Sequence, residues 1–208
     1  MERPTKPFSM IREFHLADWF TLANAACGTG ALFSVMSYLE TADVRHVYLA
    51  CGLIAAAFVF DVLDGRIARW RKQQSVLGRE LDSLADVISF GVAPAAMAFA
   101  AGLDGFWDCL VLAYFVACGV SRLARYNVTA EALADDESGK VKYFEGTPIP
   151  SSVLLVGLLA VAVWQGRIGS DIYGGVAMLG GWQFHPLVIL FALSGSLMIS
   201  KTLRIPKL

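Results

Sequence analysis

Apolar residues lie along this chain in blocks long enough to cross a bilayer core of about 30 Å. Six blocks predict transmembrane helices at about 18–39, 46–70, 80–101, 105–127, 149–166 and 183–200. The fifth is short and bounded by Pro150 and Gly166, and the second and third run on into charged stretches, so their ends protrude into the interface. Ahead of the first block, residues 7–17 turn Phe8, Met10, Ile11 and Phe14 toward one side, which predicts a short interfacial helix. The expected fold is all-α: one membrane domain over residues 1–208, built as a bundle of six transmembrane helices.

Composition agrees. The chain is 56% hydrophobic and 17% charged, with a mean hydropathy of +0.57, whereas soluble domains are about a quarter charged. Met1 to Asp18 is polar and lacks the apolar core of a signal peptide. The net charge of −1 matters less than its distribution. All of the 17 Lys and Arg except Arg45 and Arg167 fall on the side of the membrane that holds both predicted termini. That bias places the termini cytoplasmic; a bacterial cytoplasmic membrane and the endoplasmic reticulum fit equally. The basic face suits an anionic leaflet, and the absence of a soluble basic domain excludes a nucleic-acid binder. Cys27, Cys51, Cys109 and Cys118 all lie in predicted spans without paired spacing and read as small buried hydrophobes. Trp19, Trp70, Trp107, Trp164 and Trp182 sit at span ends as an aromatic belt, and His15, His46 and His185 read as wetted interfacial residues.

The polar connection 128–147 lacks apolar periodicity and carries Asp135 to Gly139, so its start reads as a mobile loop. Its end, YFEGTPIP, joins aromatics, a glycine and two prolines into a rigid turn at a membrane entrance.

Charge inside the apolar blocks carries the chemistry. Asp61, Asp64, Arg66 and Arg69 lie in FDVLDGRIARW (60–70), and Asp82 and Asp86 in GRELDSLADVISFG (78–91). Charges at membrane depth cost several kcal/mol on most estimates and mark functional sites. Asp61 and Asp64 are three apart and Asp82 and Asp86 four apart, so each pair projects from one face of its helix. The link from Arg71 to Gly78 is short enough to hold the two helices antiparallel and bring the pairs together. Four converging carboxylates repel one another unless cations neutralise them. With oxygen donors only, Mg²⁺, Mn²⁺ or Ca²⁺ fits and Zn²⁺ or copper does not. Gly65 and Ala68 leave a groove along the helix, and Arg66 and Arg69 can meet phosphate oxygens, which suggests a pyrophosphate-bearing substrate.

The pattern Asp61-x2-Asp64-Gly65-x2-Ala68-Arg69-x8-Gly78-x3-Asp82-x3-Asp86 resembles the motif of the CDP-alcohol phosphotransferases at every fixed position. Those are six-helix, usually dimeric membrane enzymes that displace CMP from a CDP-linked lipid or alcohol. The resemblance implies that Asp61, Asp64 and Asp82 hold divalent metal, Mg²⁺ or Mn²⁺, with Asp86 near it and serving as general base. It implies that Asp64, Gly65, Ala68, Arg69 and Gly78 line the CDP-lipid site, and that the protein is a homodimer.

SFGVAPA (89–95), SRLARYNV (121–128) and YFEGTPIPSS (143–152) are similar to segments of the family's serine-using, yeast-like branch. The implied substrates are CDP-diacylglycerol and L-serine, with phosphatidylserine and CMP as products; inositol, inositol phosphate or glycerol 3-phosphate is the alternative acceptor. Arg122 and Arg125 can pair with the acceptor carboxylate or a lipid phosphate, or simply anchor the helix at the basic interface. Asn24, Asn127, Gly146 and Pro148 are the further acceptor-site candidates; Asn24 equally suits an interhelical hydrogen bond, and the prolines a helix entry. From another class, a divalent-cation transporter also needs intramembrane carboxylates, but nearer the midplane and without flanking Arg.

Overall fold

The computed structural model describes residues 15–71, 76–134, 143–200 and 204–206. Two long helices open the chain, α1 (Leu16–Thr41) and α2 (Arg45–Arg71), joined by a turn of three residues. Ala42 closes α1 in the left-handed conformation, and Asp43 starts α2 by accepting hydrogen bonds from the Arg45 backbone N–H (3.0 Å) and guanidinium. The hydrogen bonds from Arg45 hold the Asp43 carboxyl down at about 2. The two helices pack along one another. Helix α1 buries Thr21, Gly28, Ala31 and Val35, a stripe at intervals of three, four and seven residues.

The next rod is made of three pieces in sequence: α3 (Val76–Asp86), a π-helical segment (Val87–Val92) and α4 (Ala93–Ala100). The wider turn has a local cause. Pro94 has no N–H to donate to the carbonyl four residues back, so the ladder changes register, and Ala93 N–H donates to the Ile88 carbonyl five residues away. The segment is buried at Ser89, Phe90 and Gly91 and packs against α1 and α5 (Phe106–Ala134).

A strand β1 (Tyr143–Glu145) and a 3₁₀ turn (Ile149–Ser152) lead into α6 (Val153–Trp164). A hairpin of β2 (Ala177–Leu179) and β3 (Trp182–Phe184) precedes a 3₁₀ turn (Pro186–Val188) and α7 (Ile189–Met198). The last strand, β4 (Arg204–Pro206), pairs antiparallel with β1, Phe144 opposite Ile205. Phe90, Phe115 and Phe191 are fully buried at the centre, Phe115 meeting Phe191 edge to face with centroids 5.3 Å apart. Gly195 permits that contact: a Cβ there would lie 3.2 Å from the Phe115 Cα. Phe33, Met36, Leu84, Leu154 and Leu193 face outward, as apolar side chains do against lipid.

The described residues are mostly helical, and among them four helices are long and apolar enough to cross a membrane: Leu16–Thr41, Arg45–Ile67, Leu77–Ala100 and Phe106–Val128. The last two predicted spans correspond to shorter apolar helices, Ile149–Trp164 and Pro186–Met198. Residues 183–185 are not helical, because Gln183 and Phe184 pair in the β2–β3 hairpin. The two small strand pairs are the departure from an all-α fold. Of the interfacial helix expected over residues 7–17, residues 7–14 lie outside the described residues, while Leu16 and Ala17 already belong to α1. The connection expected to begin as a loop at Val128 continues as helix to Ala134, since Ala130, Glu131, Ala132, Leu133 and Ala134 are strong helix formers.

Candidate active site

Helices α2 and α3 bring Asp61, Asp64 and Asp82 together, with one carboxylate oxygen from each lying within 4.8 Å of the others. Asp64 is buried, and Asp61 and Asp82 are partly buried. Asp86 is not part of this triplet. It lies one helical turn along α3, about 6 Å toward the bundle interior, and is only 6% exposed.

Helix α1 reaches the carboxylates from the third side. The Thr21 hydroxyl donates to Asp64 Oδ2 at 2.8 Å, and Asn24 Nδ2 donates to Asp86 Oδ1 at 3.2 Å. The Asn24 carbonyl accepts from the Ser89 hydroxyl at 2.9 Å, tying α1 to the π-helical segment. That approach requires Gly28, since a Cβ at this position would fall 2.8 Å from the Ser89 Cα. Asp18 is also buried, its Oδ2 accepting from the His15 backbone N–H at 2.7 Å in the first turn of α1.

Among the described residues no Lys or Arg ion-pairs with the four carboxylates. Unit charges 4.8 Å apart repel by about 3 kcal/mol per pair at an effective dielectric of about 20. Asp82 Oδ1 is buried without a hydrogen-bond partner, an open acceptor on one of three clustered carboxylates. The residues fit a hard divalent cation.

The other candidates sort by position. Gly65 and Gly78 are partly buried on α2 and α3; Ala68 and Arg69 belong to α2, but their side chains lie outside the description. Arg66 is exposed. Arg122 on α5 is partly buried, and its Nε has no hydrogen-bond partner, whereas Arg125 is exposed. Asn127 donates from Nδ2 to Ser83 Oγ (3.0 Å) and Glu80 Oε1 (3.1 Å), holding α5 against α3. Gly146 is buried at φ +73°, where a Cβ would strike the Met198 carbonyl; Pro148 is exposed at the start of the 3₁₀ turn.

Thr21 and Asp18 lie in none of the motifs that mark the carboxylates. The available signal was a polar series, Asp18, Thr21 and Asn24, at intervals of three in an otherwise apolar helix. Two expectations are corrected away from the site. His185 is not wetted but 2% exposed and bonded to Asp108, because the hairpin folds it inward. Cys109 is exposed on α5 rather than buried; the described cysteines are all free.

The chain, with its aspartate set on the second and third helices, belongs to the CDP-alcohol phosphatidyltransferase family, whose profile matches residues 14–192. The chain is similar to the CDP-diacylglycerol–serine O-phosphatidyltransferase of Saccharomyces cerevisiae, 45% identical over 202 residues that cover 96% of this chain and 73% of the yeast protein. The Helicobacter pylori protein of the same name is 40% identical over 139 residues, 66% of this chain and 53% of that one. The archaetidylserine synthase of Methanothermobacter thermautotrophicus is 36% identical over 144 residues, 68% and 55% of the two chains. This chain thus spans about half the length of those bacterial and archaeal relatives.

Proposed function

We propose that the protein transfers the phosphatidyl group of CDP-diacylglycerol to the hydroxyl of L-serine, giving phosphatidylserine and CMP. The observation that carries the reaction class is the Asp61–Asp64–Asp82 triplet with Asp86 buried one turn beyond it. The choice of serine is supported by the names of the yeast and bacterial relatives.

Asp61, Asp64 and Asp82 would hold the divalent cation, Mg²⁺ or Mn²⁺, with Asp86 close by. A cation bound there would supply positive charge to offset that of the pyrophosphate and of the departing CMP. Gly65, Ala68 and Gly78 leave room for the CDP group along the two helices, and Arg69 meets its phosphate oxygens. Asp86, held by Asn24, accepts the proton of the serine hydroxyl as that oxygen attacks the lipid phosphorus. A P–O bond to serine forms, the P–O bond to CMP breaks, and CMP leaves with the electron pair. Arg122, whose Nε has no protein partner, pairs with the serine carboxylate. Arg125, Asn127, Gly146 and Pro148 shape the acceptor entrance.

The membrane arrangement is a single domain of six transmembrane helices preceded by an interfacial segment, forming a homodimer with the site facing the cytoplasm. The Lys and Arg distribution supports that orientation. It places the carboxylates where soluble serine arrives while the lipid tails stay in the bilayer.

The deciding assay offers purified protein CDP-diacylglycerol and Mn²⁺ or Mg²⁺ with labelled serine, inositol, glycerol 3-phosphate or ethanolamine in separate reactions. CMP release and labelled lipid are expected with serine. Turnover only with another alcohol overturns the serine assignment, and turnover with none overturns the reaction.

A further inference from the structure

We infer that Thr21 is a positioning residue for Asp64: its hydroxyl donates to the carboxylate and fixes the orientation in which that carboxylate meets the cation. The inference rests on the reading of Asp61, Asp64 and Asp82 as cation ligands. Thr21 Oγ1 lies 2.8 Å from Asp64 Oδ2, and both residues are almost wholly buried, at 4% and 5% exposure. The same hydroxyl lies 3.2 Å from the Ala17 carbonyl. It carries one proton, and the shorter, charge-assisted bond to the carboxylate takes it.

Three features make this more than an incidental interhelical contact. Branching at Cβ restricts Thr χ1 in a helix to two main rotamers, and the one adopted here brings Oγ1 to Asp64 while keeping the Ala17 carbonyl within reach. Asp64 also supplies one of the three carboxylate oxygens that lie within 4.8 Å of one another, so the bond fixes a carboxylate that already converges with Asp61 and Asp82. One turn further along α1, Asn24 makes the same kind of donation to Asp86. Helix α1 therefore supplies a donor to the first pair of aspartates and another to the second, although it contributes none of the four carboxylates. Partners that orient a ligand in this way are worth about 10–100-fold in metal affinity when removed.

The test measures Mn²⁺ binding to detergent-purified full-length protein by electron paramagnetic resonance, with neither lipid nor serine present. Thr21→Val keeps the shape and removes the hydroxyl; Thr21→Ser keeps the hydroxyl. The expected result is a Kd for Mn²⁺ raised about 10-fold in T21V and held within about 2-fold in T21S. The KM for serine should stay unchanged in both at saturating metal. Wild-type affinity in a folded T21V overturns the inference and leaves the site intact. Failure of the wild-type protein itself to bind Mn²⁺ overturns the site reading on which the inference stands. If T21V does not elute as a folded species, T21A and T21S are compared, and equal Mn²⁺ affinity in those two overturns the inference.

Discussion

The imidazole of His185 and the carboxylate of Asp108 form a buried pair, Nδ1 to Oδ2 at 2.5 Å, between residues 77 apart in the chain. The Asp108 carboxylate also accepts the backbone N–H groups of His185 (2.9 Å) and Gly105 (3.0 Å), so one side chain closes three bonds at the start of α5. Asp108 is fully buried and His185 nearly so. The pair holds the hairpin segment against α5, about 21 Å along that helix from Arg122.

Asp108→Ala is therefore expected to destabilise the protein by about 3–5 kcal/mol, because it leaves an imidazole and two backbone donors buried without a partner. Thermal unfolding in detergent should show the loss. CMP release per folded molecule should stay near normal, and a selective loss of turnover at unchanged Tm would contradict a structural role.

Asp86→Asn should lower turnover by about 10²–10⁴-fold, the range of a lost general base. Binding of CDP-diacylglycerol should persist, since the amide retains the volume. The check is CMP release alongside lipid binding; near-normal turnover rules Asp86 out as the base.

Chelation should abolish CMP release, and Mn²⁺ or Mg²⁺ should restore it. Asp61→Asn and Asp82→Asn should each raise the metal concentration needed for half-maximal activity by about 10-fold or more, as expected when one of few ligands is weakened. A metal titration identical to wild type in either variant would remove that residue from the ligand set.

Gly28→Ala should cost about 1–3 kcal/mol through overpacking, because the added methyl meets the Ser89 backbone at 2.8 Å. The displacement of α1 also pulls Asn24 from Asp86, so turnover should fall with Tm. Unchanged unfolding and turnover would show that α1 and the π-helical segment tolerate the methyl.

Arg122→Ala should raise the KM for serine by about 10-fold, the scale of a lost charge-assisted hydrogen bond, while Arg125→Ala stays within about 2-fold. The contrast follows from burial: Arg122 is partly buried with its Nε unpartnered, and Arg125 is exposed. Equal effects would place both at the interface as anchors.

Much of this was legible along the chain because the bilayer penalises charge so heavily. Every Asp in an apolar block needs a reason, and helical spacing alone places Asp61 beside Asp64 and Asp82 beside Asp86. The short link after Arg71 then brings the two pairs face to face, and the structure gathers three of the four carboxylates within 4.8 Å. Block length likewise marked the first four helices within a few residues of their ends.

Contacts between distant segments were another matter. Thr21 meets Asp64 across 43 residues and Asn24 meets Asp86 across 62, and both depend on the rotation of α1 about its axis. Hydropathy does not encode that rotation when a helix is apolar on all faces; close approach at Gly28 does. The π-helical segment depends on Pro94 and on what packs around it, and the inward turn of His185 on a hairpin with no strong apolar pattern. Local spacing and the cost of buried charge thus wrote the carboxylates into the primary sequence. Helix rotation and backbone approach, which only packing determines, chose the residues that hold those carboxylates in place.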